Sequence, residues 1–257
     1  MRAFCPRSRH VLPLLLLAGV QVGQPGDTGA QAVPPQTSPP TSLRVSAGEP
    51  VTLAARCGVP GMGDPVAAAV AEAVVSGPAV LGPVLDSLEA ELEVRQAHRS
   101  DDPQARYRVA VVLGGRVETL EGRERLEAAE ALYQQSQRVL EVEPEHPGTH
   151  HLLGRLMAGV LRLGGFTRSM ARMVVGGELL SSASWPVARA HLERGEQGAP
   201  CVPEHHLELA RLLDETGQSD AARRELRHVL ALVSGGHGMR LSGIRERALV
   251  MLRTPSN

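Results

Sequence analysis

Residues 203–226 read PEHHLELARLLDETGQSDAARREL and carry the clearest folding signal in this chain of 257 residues. Apolar side chains recur three and four positions apart on both sides of Gly217, which is the spacing of amphipathic α-helices. The small Ala210 lies twelve positions before the small Ala222, and small residues let two packed helices approach closely. The stretch therefore predicts two α-helices that pack on each other and are separated by a break at Gly217.

An earlier segment repeats this register with an insertion. Its small residue is Gly154 and the alanine of its second helix is Ala188, which lie 34 positions apart instead of twelve, so about 22 residues are extra. We expect the residues that recur between the two segments to pack between helices. They are His150, Leu153, Gly154, Ala188 and Leu192 in the first segment, and His206, Leu209, Ala210, Leu213, Ala222 and Leu226 in the second.

The two segments resemble the tetratricopeptide repeat (TPR) superfamily, in which each repeat is a pair of helices with a fixed order of large and small residues. Both carry histidine, at His150 and His206, where the consensus has tryptophan. A worn copy with Tyr107 at its first aromatic position precedes them. Residues 146–186 are more specifically similar to bacterial proteins related to the regulator of microtubule dynamics family. The resemblance implies a helical scaffold that binds other proteins and brings no catalytic residues with it.

The predicted fold is all-α, a short TPR-like solenoid of antiparallel helix pairs that ends in a capping helix. From Val66 onward, glycine and proline separate the periodic apolar stretches, so we expect one helical domain over residues 66–257. The repeat units are expected at about 103–144, 147–200 and 203–234, and the capping helix at 240–252. The capping helix would cover the open end of the solenoid with its apolar residues, which are Leu241, Ile244, Ala248 and Met251.

The N-terminal segment 1–32 has the order of a secretory signal peptide. Arginines precede the apolar stretch Val11–Val20, and Ala30 and Ala32 form a site that signal peptidase accepts. This order predicts export through the general secretory route to the periplasm or the cell exterior, with an uncleaved N-terminal anchor as the alternative. Residues 33–65 are rich in proline, glycine, serine and threonine and predict a flexible, disordered linker.

Export would leave two cysteines in the mature chain, because Cys5 lies within the signal peptide. An oxidising compartment would permit a disulfide bond between Cys57 and Cys201. Two unpaired, partly buried thiols are an equally compatible interpretation.

The composition excludes several classes of function. All 27 basic residues are arginine, which removes the enzymes that need a Walker lysine, a Schiff-base lysine or a kinase lysine. The 28 acidic residues balance them and only five residues are aromatic, so we expect no nucleic-acid partner. The sequence also contains no G-x-S-x-G or dinucleotide-binding motif, and we expect neither enzymatic activity nor a cofactor.

Ten histidines raise the question of a metal site. His146, His150–His151 and His205–His206, together with Glu204 and Glu208, have the side chains that zinc prefers. Their spacing matches neither H-E-x-x-H nor a Cys-x2-Cys pair. We therefore expect structural histidines rather than metal ligands, and a metal-dependent enzyme is the less favoured alternative.

In TPR solenoids the first helix of each repeat lines the concave surface, and the resemblance therefore selects six candidate partner-binding residues. They are His151, Arg155, Glu204, Arg211, Asp214 and Glu215. Both signs of charge are present, which favours a peptide or protein partner over a polyanion. An ordinary solvated surface is the alternative.

The insertion contains a short amphipathic helix, predicted at residues 166–175 between two Gly-Gly pairs. Its apolar residues are Phe166, Met170, Met173 and Val174, and its arginines are Arg168 and Arg172. We expect this helix to fold back on the solenoid. The overall expectation is an exported, non-enzymatic scaffold for protein–protein interaction, and the alternative is a peripheral membrane protein that binds lipid through this helix.

Overall fold

A computed structural model describes residue 57 and residues 63–94, 101–163 and 177–254. Within these ranges the chain forms ten helices and no strand. In chain order the helices are α1 (Pro65–Ser76), α2 (Pro78–Val94), α3 (Pro103–Thr119), α4 (Gly122–Val142), α5 (Pro147–Arg162), α6 (Leu179–Ser182), α7 (Trp185–Gly198), α8 (Pro203–Glu215), α9 (Ser219–Val233) and α10 (Met239–Arg253). The all-α class is confirmed.

Several helices begin at a capping side chain that is followed by proline. Asp64 accepts hydrogen bonds from the backbone N–H groups of Val66 and Ala67 at the start of α1. His146 caps α5 in the same way, because its Nδ1 accepts a hydrogen bond from the backbone N–H of Thr149 at 3.1 Å. These caps satisfy backbone donors that have no partner inside the helix, and proline has no N–H to satisfy there. The sequence thus fixes where these helices start.

The repeat units correspond to the helix pairs α3–α4, α5–α7 and α8–α9, with the short α6 and the insertion between α5 and α7. The eleven residues that recur in register are buried, including His150 and His206, whose exposed fractions are 1% and 0%. The pairs α5–α7 and α8–α9 therefore hold the small and large residues of the repeat pattern at their interfaces. The helices form a helical-repeat solenoid, as the sequence predicts.

Helix α10 covers the end of the solenoid beside α8 and α9. Its Leu241, Ile244 and Ala248 are buried in one apolar cluster with residues of those two helices. Arg245 donates a hydrogen bond from Nη2 to the carbonyl oxygen of Val233 at 3.0 Å, near the C-terminal end of α9. Because the last carbonyl groups of a helix lack partners within it, this arginine both caps α9 and holds α10 in place.

The opposite face of α10 contacts α1, which the sequence does not predict. The backbone N–H of Arg240 donates to Oε2 of Glu72 at 3.1 Å. A Cβ atom on Gly243 would lie 2.5 Å from Cγ1 of Val75, so the two helix backbones approach closely. The first and last of the described helices are therefore in direct contact.

A disulfide bond joins Cys57 to Cys201, across a sequence separation of 144 residues. It ties the chain that leads into α1 to the loop that leads into α8. The structure thus selects pairing over the two free thiols that the sequence also allowed.

Three of the predicted segments lie outside the described residues. They are the signal peptide at 1–32, nearly all of the linker at 33–65 and the inserted amphipathic helix at 166–175. Among the helices that the structure describes, none has the length and apolar character needed to cross a membrane.

Candidate functional site

Charged side chains of α3, α5 and α8, the first helices of the three units, meet on one surface. Arg155 of α5 donates from Nη2 to Oε1 of Glu118 in α3 at 2.7 Å, and its Nε lies 3.8 Å from Oε1 of Glu208 in α8. One guanidinium group therefore connects all three units. We call this surface the inner face and define it by six residues: Glu118, Arg155, Arg162, Glu208, Arg211 and Glu215.

A second group of ion pairs continues the inner face toward the C-terminal ends of α5 and α8. Nε of Arg162 lies 2.8 and 2.9 Å from the two carboxylate oxygens of Glu215. Arg211 donates to the same carboxylate from the next turn of α8, at 3.2 Å. Glu215 thus binds two arginines from two repeat units. The inner face carries three positive and three negative side chains, and each contact between them joins opposite charges.

The inner face is accessible at Arg155 and Arg211, whereas the side chains of Arg162, Glu208 and Glu215 are only 21%, 14% and 26% exposed. The side chains of Arg155 and Arg211 are 37% and 48% exposed. Ion pairs with this exposure contribute roughly 0–1 kcal/mol each, because water already stabilises the separated charges. A partner with charged groups of its own could therefore replace these internal contacts at little cost. The face is suited to exchange of ion pairs with another polypeptide.

The structure places the six predicted partner-binding residues in different surroundings. Arg155, Arg211 and Glu215 lie together on the inner face. The carboxylate of Glu204 binds Arg240 of α10 instead. Oδ1 of Asp214 lies at the end of α8, 3.5 Å from the hydroxyl group of Ser219.

The prediction for His151 needs correction. Its side chain is buried, with an exposed fraction of 6%, so it does not line a surface. The ring stacks on that of His205 with 4.5 Å between centroids and 26° between planes. His151 therefore belongs to the contact between α5 and α8. A helical pattern cannot tell which of two adjacent histidines faces the neighbouring unit, and this ambiguity is the source of the error.

Three residues of the inner face were missed in the sequence. Glu118, Arg162 and Glu208 are not among the residues that recur between the repeat units, and no motif marks them. Their one common signal is that each is a charged residue on the first helix of a unit.

Two repeat units bury a histidine in the same structural role. Nε2 of His150 lies 2.8 Å from the carbonyl oxygen of Pro144, and Nε2 of His206 lies 2.9 Å from that of Pro200. In each case the carbonyl group is six residues earlier in the chain. The imidazole therefore fixes the turn that precedes its helix in both units.

The other nitrogen of each histidine meets a different partner. Nδ1 of His150 lies 2.8 Å from Nδ1 of His191, whereas Nδ1 of His206 lies 2.8 Å from Oε2 of Glu225. His191 and Glu225 are equivalent, since each follows the small alanine of its helix by three residues. The same junction is thus a histidine pair in one unit and a histidine–carboxylate pair in the next.

The pKa values of these side chains follow from their partners. Burial lowers the pKa of His150, and burial with the positive charges of His150 and Arg194 lowers that of His191 to about 4. Burial also acts to lower the pKa of His206, but the hydrogen bond and the charge of Glu225 raise it overall. Burial acts to raise the pKa of Glu225, yet the hydrogen bond from His206 and the proximity of His228 hold it at about 2. Burial thus favours neutral imidazoles in the first junction, whereas Glu225 favours a positive charge next to Nδ1 of His206 in the second.

A cavity of about 330 Å³ lies between the N-terminal ends of α1, α3, α5 and α8. Asp64 is at its edge and accepts hydrogen bonds from Gln104 at 2.7 Å and Arg108 at 2.9 Å. Tyr107 lines the cavity, and burial is the main cause that raises its pKa above the usual value. The polar groups of Asp64 and its neighbours serve to join α1 to α3.

Residues 87–235 match the family described as Regulator of microtubule dynamics protein 1-3. The match covers more than half of the chain. This chain belongs to that family. The family segment of this member contains all three repeat units, the inner face and both histidine junctions, whereas α1 and α10 lie outside it. No curated protein and no solved structure matches the chain.

Proposed function

We propose that this family member is an exported, non-enzymatic scaffold of the TPR type that binds a protein or peptide on its inner face. The observation that carries the proposal is the contact of Arg155 with both Glu118 and Glu208, because it places exchangeable charges of three repeat units on one surface. The TPR assignment is supported by the shared register of the two clear units, and the bacterial origin by the residues of 146–186.

The charge pattern of the inner face indicates the chemistry of the partner. Three of its six charged side chains are glutamates, so a nucleic acid or another polyanion would meet repulsion at half of them. A polypeptide segment with both acidic and basic side chains could pair with each position. The proposed partner is therefore a protein or peptide of mixed charge rather than a nucleic acid.

The disulfide bond between Cys57 and Cys201 supports the proposed export. Disulfides form and persist in oxidising compartments such as the periplasm and the cell exterior, and they are rare in the cytosol. The arginines, apolar stretch and small residues of the first 32 positions support the same route. Together they favour a function outside the cytosol.

Affinity capture with charge-matched variants tests the proposal. The purified chain would be used to capture proteins from the exported and membrane fractions of its source, and the bound proteins would be identified by mass spectrometry. The inner-face variant is Arg155→Gln/Arg211→Gln, and the matched control is Arg223→Gln/Arg247→Gln on exposed positions of α9 and α10. We expect the control and the wild type to capture the same protein and the inner-face variant to lose it.

Two outcomes would contradict the proposal. If the wild type, the inner-face variant and the control variant captured the same proteins equally well, the inner face would not be the binding surface. Flotation of the wild-type chain with anionic liposomes, with no captured protein, would favour the alternative in which residues 166–175 bind lipid. Circular dichroism of each variant would show that loss of capture is not loss of folding.

A further inference from the structure

A cluster of possible metal ligands lies at the junction of α8 and α9. Nδ1 of His206, a carboxylate oxygen of Glu225 and a ring nitrogen of His228 all lie within 4.8 Å of one another. Oε2 of Glu225 is 2.8 Å from Nδ1 of His206 and 3.5 Å from Nδ1 of His228. The three side chains converge on one point from two helices.

This geometry is close to that of a zinc site. Zinc binds imidazole nitrogen and carboxylate oxygen at about 2.0–2.2 Å, so neighbouring ligand atoms of a tetrahedral site lie roughly 3.3–3.5 Å apart. The separations of 2.8 and 3.5 Å in the cluster bracket this range. The third separation, between ring nitrogens of His206 and His228, is at most 4.8 Å, so side-chain movements of about 1 Å would complete the first three ligands.

The environment of His206 calls for a cation next to Nδ1. Its Nε2 points at the carbonyl oxygen of Pro200, so that nitrogen must carry the proton of a neutral imidazole. The lone pair of Nδ1 then faces a carboxylate oxygen of Glu225. Two lone pairs at this distance need either a second proton or a metal ion between them. A backbone carbonyl that accepts the other N–H is also the usual support of a histidine that binds metal.

The buried Nδ1 of His228 is a second observation that favours a metal ion at this junction. Its Nδ1 is buried and forms no hydrogen bond within the described part of the chain, although it lies near Glu225. A buried nitrogen without a hydrogen bond is costly unless it has another partner. The side chains of His228 and Glu225 are 18% and 19% exposed, so an ion could reach them from solvent. Glu196 of α7 adds a second carboxylate, 3.9 Å from Nε2 of His206.

The equivalent junction of the preceding unit lacks this combination of possible metal ligands. The residues at the positions of His206, Glu225 and His228 are His150, His191 and Arg194. Arg194 lies close enough for its charge to lower the pKa of both histidines. Arginine is a permanent cation with no lone pair to offer, so it repels a metal ion. Only the later of the two units combines two imidazoles with a carboxylate.

We propose that His206, Glu225 and His228 bind one zinc ion, which joins α8 to α9. A water molecule would complete the coordination. Binding replaces the proton between Nδ1 of His206 and Glu225 with the metal and releases that proton to solvent. The site is independent of the inner face, so partner binding and zinc binding can fail separately.

The test uses the purified chain without a histidine tag, stripped with a chelator and dialysed. Zinc chloride is titrated calorimetrically against a competing chelator, and cobalt chloride is titrated with detection of visible absorbance. We expect one zinc ion per chain and the cobalt absorption bands of a four-coordinate site. The variant Glu225→His/His228→Arg copies the residues of the preceding unit, so it should fold and bind zinc at least a hundredfold more weakly.

The control variant is His191→Gln, which alters the equivalent junction of the preceding unit and should retain full zinc binding. The proposal is overturned if the wild type binds no zinc in competition with the chelator. It is equally overturned if Glu225→His/His228→Arg binds zinc as the wild type does, or if His191→Gln abolishes binding. Circular dichroism of the two variants distinguishes lost binding from lost structure.

Discussion

A Cβ atom on Gly154 would lie 2.6 Å from Cγ of Leu192 and 2.9 Å from the carbonyl oxygen of Ala188. The helices α5 and α7 therefore touch at a point where glycine has no substitute. Gly159 lies on the same helix, but a Cβ there would have no atom within 4 Å. Gly154 and Gly159 thus provide a matched pair for testing the repeat interface.

We expect Gly154→Ala to destabilise the fold by about 1–3 kcal/mol, because the backbone of α7 must move away. Gly159→Ala should be neutral or stabilising by up to about 1 kcal/mol, since alanine favours the helix. Urea unfolding followed by circular dichroism would measure both. Equal stability of the two variants would contradict the close contact between α5 and α7.

The buried face of α10 predicts a similar difference in stability between two alanine variants. Ile244 is 3% exposed and packs on α8 and α9, whereas Val250 on the same helix is 51% exposed. Ile244→Ala should cost about 2–5 kcal/mol of unfolding free energy, and Val250→Ala should change it by less than about 0.5 kcal/mol. Thermal melts would show whether α10 caps the solenoid. A Val250→Ala effect as large as that of Ile244→Ala would argue against this role.

The disulfide bond should contribute strongly to stability. It closes a loop of 144 residues, and restricting an unfolded chain to a loop of that size is worth about 4–5 kcal/mol in the chain-entropy description. We expect a reducing agent to lower the urea midpoint of the wild type. The variant Cys57→Ser/Cys201→Ser should start at the lower midpoint and not respond to reductant. A wild type that is insensitive to reductant would show that the two cysteines are not paired.

The stacked His151 predicts how stability depends on pH. Burial, with a smaller effect of Arg155, lowers its pKa from 6.5 to about 3 in the folded chain. Between about pH 3 and pH 6.5 the unfolded state binds more protons than the folded state. The contribution of His151 to the free energy of unfolding is therefore complete above pH 6.5 and decreases as the pH falls. The slope from this one histidine is about 1.4 kcal/mol per pH unit.

The variant His151→Gln isolates this contribution, because glutamine keeps a polar side chain but does not titrate. Urea unfolding at pH 7, 5.5 and 4.5 should give a shallower dependence on pH for the variant than for the wild type. Parallel curves for the two proteins would mean that His151 is not held neutral by burial.

The helix pairs could be predicted from sequence because their causes are local. The spacing of Leu209, Ala210 and Leu213 and the glycine at 217 determine a helix, its packing side and its end within one short stretch. The capping helix followed from the same periodicity at Leu241 and Ile244. These features depend on residues that are at most a few turns apart.

The candidate sites depend on contacts between units, which periodicity does not encode. Arg155 and Glu118 are 37 residues apart, and their contact depends on the angle at which two helix pairs stack. The grouping of His206 with Glu225 and His228 depends on which turn of α9 faces α8. Adjacency in the sequence instead groups His206 with His205, whose ring stacks on that of His151 in α5.

The contact between α1 and α10 affects how the whole repeat array unfolds. An open array of repeats loses structure from its ends, because each unit touches only its neighbours. Here Glu72 and Val75 of α1 meet Arg240 and Gly243 of α10, so the described helices form a closed circuit with no free terminal unit. A substitution that disrupts α1 or α10 also removes contacts of the other helix. We therefore expect the described helices to unfold cooperatively rather than to fray from one end.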